Sequence, residues 1–307
     1  MKILLLGASG QLGYELRRSL SVLGAVTAVM RRREGSDADF TDTDALRSLI
    51  LLERPHVIVN AAAYTAVDLA ESEPELAFQI NARAVRKIAE LAYELGALMV
   101  HLSTDYVFSG KNRAPWTELD STQPISVYGR SKLAGEQAVL ESRCAHFILR
   151  VQGLYSARRS NFFRTMLKLA LAQKPIRVVD DQMVAPTPVR WVADAINCML
   201  ARWLHEQSGR DSYSGIYHLA ASGQTNWYEF AKNIFQQAHM RGLINGVPDL
   251  QAISTEEFIA AAQRPKFSLF NCEKIRQDFD IVLPDWREGS ALVLDELKEA
   301  KDWPVGA

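Results

Sequence analysis

The sequence predicts an α/β fold: a doubly wound parallel sheet followed by a smaller C-terminal lobe. Three observations predict it. Short apolar runs alternate with helical patterns through residues 1–151, and the connections between them are short, as in parallel strands joined by crossover helices. The first run, Met1-Lys2-Ile3-Leu4-Leu5-Leu6, passes directly into Gly7-Ala8-Ser9-Gly10-Gln11-Leu12-Gly13 and a helical pattern at Tyr14, Leu16, Leu20 and Leu23. A strand, a glycine turn and a helix N-terminus in that order can take a pyrophosphate. Beyond 151 the alternation gives way to an irregular mixture of helix, short strand and turn.

The second strand is expected at 25–30, followed by Arg31-Arg32-Arg33. In a dinucleotide fold this is where the adenosine ribose is read; an acid would serve NAD, whereas arginine can pair with a 2'-phosphate. The position favours NADPH and still allows NADH, against the plain alternative of a solvated basic turn. Asp39-Phe40 stand at a spacing suited to the adenine edge. The run 56–60 ends in Ala61-Ala62-Ala63-Tyr64-Thr65, where small residues let the backbone approach a flat or charged ligand. Helices are expected at 66–69, 75–95 and 131–141. The apolar run 97–102 leads into Ser103-Thr104-Asp105-Tyr106-Val107-Phe108, which places polar groups at the carboxyl end of a buried strand, where ligands of open α/β sheets bind. A strand at 146–151 closes this half.

The second half carries an expected helix at 161–172 with Arg164 and Lys168 on one side, a strand at 175–179 and a turn-rich segment at 180–188. A strand at 217–220, an amphipathic helix at 227–240 and a proline- and polar-rich tail follow. With no internal repeat or low-complexity linker, the second lobe reads as segments packed on the first.

A chain of 307 residues, 48% hydrophobic and with net charge −1, has the material for one large domain with an appended lobe and offers no electrostatic case for nucleic acid. Cys144, Cys198 and Cys272 lie far apart without metal-type spacing, so they read as reduced thiols buried as small apolar groups, which suggests the cytoplasm. No stretch is apolar enough to span a bilayer, and the opening run is too short for a signal peptide.

Tyr128 and Lys132 stand four apart at the start of a helix-forming run, so both project from one face. An ammonium near a phenol favours the phenolate and would bring its pKa down from about 10 toward the working range, making a tunable general acid. Tyr-x-x-x-Lys is also an ordinary surface pairing; the strand-end motifs upstream favour the catalytic reading.

Together Gly7-x-x-Gly10-x-x-Gly13, the alanines at 61–63, the 103–108 segment and Tyr128-x-x-x-Lys132 resemble the extended short-chain dehydrogenase/reductases. More narrowly, Asn60-Ala61-Ala62-Ala63-Tyr64-Thr65-Ala66-Val67-Asp68-x-Ala70-Glu71, Asn161-Phe162, Asp181-Gln182, Ala185-Pro186-Thr187 and Arg264-Pro265-x-x-Ser268 resemble the dTDP-4-dehydrorhamnose reductase family, nearly end to end. The resemblance implies an NAD(P)-binding Rossmann domain over 1–151 and a mainly substrate-binding lobe over 152–307, with some segments returning to the first. It implies reduction of the 4-keto group of a dTDP-6-deoxy-4-ketohexose. Thr104 would bond the keto oxygen, Tyr128 would donate the proton, Lys132 would hold the nicotinamide ribose and Asp105 would contact the sugar. The cofactor would lie on Gly7, Gly10, Gln11, Leu12, Gly13, Arg31, Asp39, Phe40, Ala61, Ala62, Ala63, Tyr64 and Thr65, with Tyr128 and Lys132.

Two departures stand out. Where the family commonly has a tryptophan against the sugar, this chain has Gly153, which leaves a wider pocket or serves the backbone. Some family members dimerise through a magnesium ion held by glutamates; Glu15 is present but position 190 is Arg190, so no metal is expected, while a homodimer stays open. Sugar-nucleotide epimerases and dehydratases share the tyrosine and lysine, but the single acid after Thr104 favours reduction. A non-catalytic subunit resembling the methionine adenosyltransferase beta subunit is disfavoured by Thr104, Tyr128 and Lys132 standing together.

Overall fold

The structure, a computed structural model, describes residues 1–30, 39–173, 175–206 and 209–300, so the arginine run 31–33 lies outside the described residues. In chain order the elements are β1 (Lys2–Leu6), α1 (Gln11–Leu20), β2 (Ala25–Val29), α2 (Thr43–Glu53), β3 (Val57–Asn60), α3 (Val67–Ala70), α4 (Pro74–Phe78), a π-helical turn (Gln79–Arg83), α5 (Ala84–Leu95), β4 (Leu98–Thr104), α6 (Val127–Ser142) and β5 (His146–Val151). Then come β6 (Leu154–Tyr155), α7 (Phe162–Leu171), β7 (Ile176–Val179), β8 (Met183–Val184), β9 (Thr187–Pro188), α8 (Val189–His205), β10 (Gly215–Leu219), β11 (Thr225–Asn226), α9 (Trp227–Met240), β12 (Leu250–Ile253), α10 (Glu273–Phe279) and α11 (Trp286–Glu299).

The main sheet has six parallel strands in the order β10-β5-β4-β3-β1-β2. The direction of winding reverses between β1 and β3, and a crevice opens at their carboxyl ends. Alternate residues build two cores. Ile3, Leu5, Val57, Val59, Val100 and Leu149 face α1 and α8, while Leu4, Leu6, Ile58, Met99 and Ile148 face α2, α5 and α6. Burial on both faces is why these strands read as continuous apolar runs. A third core, around Phe163, Phe230, Phe235, Trp286 and Leu294, joins α7, α9 and α11 beside the short sheet β12-β7.

On the α6 side the strands turn polar toward their carboxyl ends: Asn60, His101, Ser103, Arg150 and His218 are all buried. Most of them are met by one another and by α6, although His101 Nε2 has no hydrogen-bond partner among the described residues. Arg150 donates to both carboxylate oxygens of Glu136, at 2.9 and 2.7 Å, Ser103 donates to the same carboxylate, and His218 bonds the Trp116 carbonyl through Nδ1 at 2.9 Å.

Several expectations are corrected. The sheet does not end at 146–151, because β10 pairs along β5. The expected single helix at 75–95 is interrupted by the π turn, where Asn81 turns inward to bond the Tyr64 backbone. The 17-residue helix α8 was not anticipated, and the tail is not irregular: it holds β12, α10 and α11, the last capped by the Asp285 side chain. All three cysteines are free, but only Cys144 is fully buried and Cys198 is exposed. Among the described residues no helix is long and apolar enough to cross a membrane.

Removing one partner of a buried ion pair leaves the other charge uncompensated. Glu136→Ala is expected to lower the unfolding free energy by about 3–5 kcal/mol, read as a fall in Tm on the order of 10 °C. A change within a degree of wild type would show that the pair contributes little.

Candidate active site

The crevice begins at the glycine turn. Gly7 has φ +81°, and a Cβ there would stand 2.6 Å from the Ala62 nitrogen; one at Gly13 would stand 2.1 Å from the Gly7 carbonyl oxygen. Glycine is what lets the turn, the helix and the end of β3 crowd together. Gly10 caps α1 without a side-chain hydrogen bond and the first helical turn carries no acid, leaving the positive end of the helix open to an anion. A cavity of about 390 Å³ runs from Gly7, Gly10, Gln11 and Leu12 past Ala61, Ala62, Ala63 and Thr65 to Tyr128 and Lys132. Beyond it, Asp39, Phe40, Leu76 and Ile80 line a smaller slot that shares Gly7, Ala62 and Ala63 with the cavity. The two spaces together suit a dinucleotide, with a flat ring between Phe40 and the aliphatic side chains. Tyr64, also expected in the cofactor set, is not among the residues lining either space. Its phenol donates to Glu73 at 2.8 Å and its ring packs with Ala70, Ala77 and Val127, so it supports the crevice from behind.

α6 places the reactive pair. Ser126 caps the helix by accepting from the Gly129 N–H at 3.1 Å, and the Glu71 carboxylate accepts from the Val127 N–H at 2.7 Å. A Cβ at Gly129 would stand 2.2 Å from the Tyr106 carbonyl oxygen, so glycine allows this first turn to sit against the segment after β4. Tyr128 is thereby set edge-on to Tyr106, with ring centroids 5.5 Å apart, and within hydrogen-bonding reach of Thr104. Lys132 is 2% exposed and its ammonium donates to the Leu102 carbonyl.

The electrostatics depart from expectation. Burial pushes the Tyr128 phenol up to about 12, with the Thr104 hydrogen bond pulling the other way and the Asp105 charge adding to the rise. The ammonium of Lys132 meets the Leu102 carbonyl, and burial brings Lys132 down to about 8, against the pull of Glu136. Thr104 donates to Asp105 at 3.1 Å, and burial raises the Asp105 carboxyl to about 6 despite hydrogen bonds from Ser268 and Thr104. A protonated phenol, a polarising hydroxyl and a readily deprotonated lysine at one end of a dinucleotide-sized crevice can deliver a proton to an oxygen that is gaining negative charge.

Comparison with known proteins agrees with this geometry. Residues 1–299 match the model of the RmlD substrate binding domain family. The chain is 42% identical over 297 residues to a dTDP-4-dehydrorhamnose reductase of Escherichia coli, covering 97% of this chain and 98% of that protein. The chain belongs to the dTDP-4-dehydrorhamnose reductase family. Its fold matches the solved dTDP-4-dehydrorhamnose reductase of Bacillus anthracis in complex with NADP, with TM-score 0.84, 36% identity and coverage of 96% and 99%. It also matches the Clostridium acetobutylicum orthologue, with TM-score 0.87, 32% identity and coverage of 97% and 100%.

Two positions singled out by the resemblance, 153 and 190, have a structural account. Gly153 has φ +54°, and a Cβ there would meet Pro186 Cα and Val184 Cγ2 at 3.1 Å. Its carbonyl accepts from the Thr187 N–H, so the glycine serves the β6–β9 backbone. Tyr155, two residues on, stacks on Phe163 in the third core. At Glu15, where the resemblance implies magnesium in some members, the donor set does not fit a cation. The Arg190 guanidinium bonds both carboxylate oxygens of Glu15, at 3.2 and 3.3 Å, and Glu296 at 3.0 Å.

Sequence reasoning missed Asn81, which clamps the Tyr64 backbone from both sides and donates to Ser131 at 2.9 Å, and the Glu136–Arg150 pair beneath Lys132. A buried asparagine inside a helical pattern and a glutamate one turn after Lys132 were the available signals.

Asp105 yields a pH test. Its folded pKa of about 6 lies above the ordinary 3.8, so the folded state holds this proton more tightly than the unfolded chain. Stability from this group is therefore full below about pH 4 and lost as pH rises to about 6, by about 3 kcal/mol for two units. Asp105→Asn should be more stable than wild type at pH 8, with the gap closing at pH 4. A gap in Tm that does not vary with pH would show that Asp105 ionises normally.

Proposed function

We propose that the protein reduces the 4-keto group of dTDP-4-dehydro-6-deoxy-L-mannose to give dTDP-L-rhamnose, with NADPH as the preferred cofactor and NADH as an alternative. The observation that carries this reading is that Thr104, Tyr128 and Lys132, from β4 and α6, meet at one end of the crevice that starts at the glycine turn. The 97% coverage at 42% identity supports it, as does the NADP in the Bacillus anthracis relative. On this reading residues 1–151 form the NAD(P)-binding Rossmann domain and most of 152–307 the substrate-binding lobe. A cytoplasmic place of work goes with the reaction, as does assembly into a homodimer; light scattering at the mass of one chain would remove the latter.

The residues that would hold the cofactor are Gly7, Gly10, Gln11 and Leu12 at the pyrophosphate, Asp39 and Phe40 at the adenosine, and the alanines at 61–63 along its length. The bound cofactor supplies a hydride. Thr104 and Tyr128 polarise the keto oxygen through their hydroxyls. Because burial keeps Tyr128 protonated, it reaches the reaction as an acid and gives its proton to the oxygen as the carbon is reduced. Lys132, held down to about 8, is suited to stabilise the phenolate left behind and to help restore its proton. Asp105 lies beside Thr104 where the sugar would sit.

A positioned proton donor contributes about 10²–10⁴-fold. Tyr128→Phe should keep its affinity for NADPH while kcat with a dTDP-4-keto sugar falls by about 10²-fold or more. A variant that turns over at the wild-type rate would remove Tyr128 as the acid and, with it, this mechanism.

A further inference from the structure

We propose that Arg159, on the loop between β6 and α7, is a cofactor-positioning residue that closes over the diphosphate bridge of the dinucleotide. The proposal rests on the dinucleotide reading above and adds a ligand from the far side of the crevice. The loop is built onto the first residue of α1. Ser156 Oγ and Asn161 Nδ2 both donate to Gln11 Oε1 at 2.8 Å, and Asn161 also donates to the Ser156 and Arg158 carbonyls. At its tip Arg159 has φ +59°, a left-handed conformation that glycine would adopt without a steric penalty. A long cationic side chain stands where the backbone favours glycine.

That side chain returns to the crevice. Arg159 Nε donates to the Ser9 carbonyl at 3.1 Å, within the glycine turn, and the residue lines the cavity that also holds Gly10, Gln11 and Lys132. Its neighbour Arg158 is already engaged, lying over the Tyr14 ring at 4.0 Å and paired with Glu296. Among the described residues Arg159 pairs with no carboxylate within 4.0 Å, so its guanidinium keeps donors for an anion. The anion presented beside Ser9, Gly10 and the start of α1 is the diphosphate common to NADPH and NADH. A site for the 2'-phosphate alone would act on NADPH only.

The test is titration of purified wild-type protein, Arg159→Gly and Arg159→Lys with NADPH and with NADH, alongside a thermal melt. Arg159→Gly should raise Kd for both cofactors by about tenfold, with Tm unchanged or slightly higher because the left-handed position is relieved. Arg159→Lys should recover part of the affinity. Wild-type affinity in the glycine variant, a loss confined to NADPH, or a loss accompanied by a lower Tm would each overturn the proposal. Failure of the wild-type protein to bind either dinucleotide would instead overturn the functional reading on which it stands.

Discussion

The buried pair between Glu136 and Arg150 is the constraint on which the site depends. Glu136 stands one helical turn after Lys132 and two after Tyr128, and its carboxylate is received by Ser103 of β4 and Arg150 of β5. α6 is therefore held in register on the same strand whose end carries Thr104. Burying two charges is costly unless the geometry is good and the remaining polar groups are met. Here Arg150 also lies over the Phe108 ring at 5.0 Å, and the Thr104–Tyr106 segment is approached closely by the glycine in the first turn of α6. The pair places the chemistry, although neither residue touches the crevice.

The same burial shapes the reactivity. One desolvated layer raises Tyr128 and Asp105 and lowers Lys132, in each case favouring the uncharged form. A tyrosine that stays protonated suits a reductase, whose oxygen must end as a hydroxyl. An exposed Tyr-x-x-x-Lys pair would have the same spacing and neither shift. The resting phenol is governed chiefly by its burial.

What was legible in the sequence was local. The glycine spacing from Gly7 to Gly13, the apolar runs of β1, β3, β4 and β5, and the four-residue step from Tyr128 to Lys132 each express a short-range geometric need, and the resemblance ordered them into a fold. What was not legible depends on partners distant in the chain. His101 sat within an apolar run, yet it belongs to a polar layer completed by Asn60. α8 lies in the second half of the chain but packs on α1, and β10 extends the first sheet from residue 215. The role of Gly153 depends on Pro186 and Val184 standing against it, and the direction of the Tyr128 shift depends on how deeply the folded chain buries the phenol. The arginines at 31–33 lie outside the described residues, so the case for NADPH rests on the family.

The central claim is that one oxygen of a sugar nucleotide is held jointly by Thr104 and Tyr128 at the nicotinamide end of the crevice. A crystal structure of the protein with NADP and dTDP-L-rhamnose tests it most directly. The account predicts the C4 hydroxyl oxygen within hydrogen-bonding distance of both Thr104 Oγ1 and Tyr128 Oη, with Lys132 on the nicotinamide ribose. A sugar whose C4 oxygen lies away from both hydroxyls, or a nucleotide sugar bound outside this crevice, would contradict it.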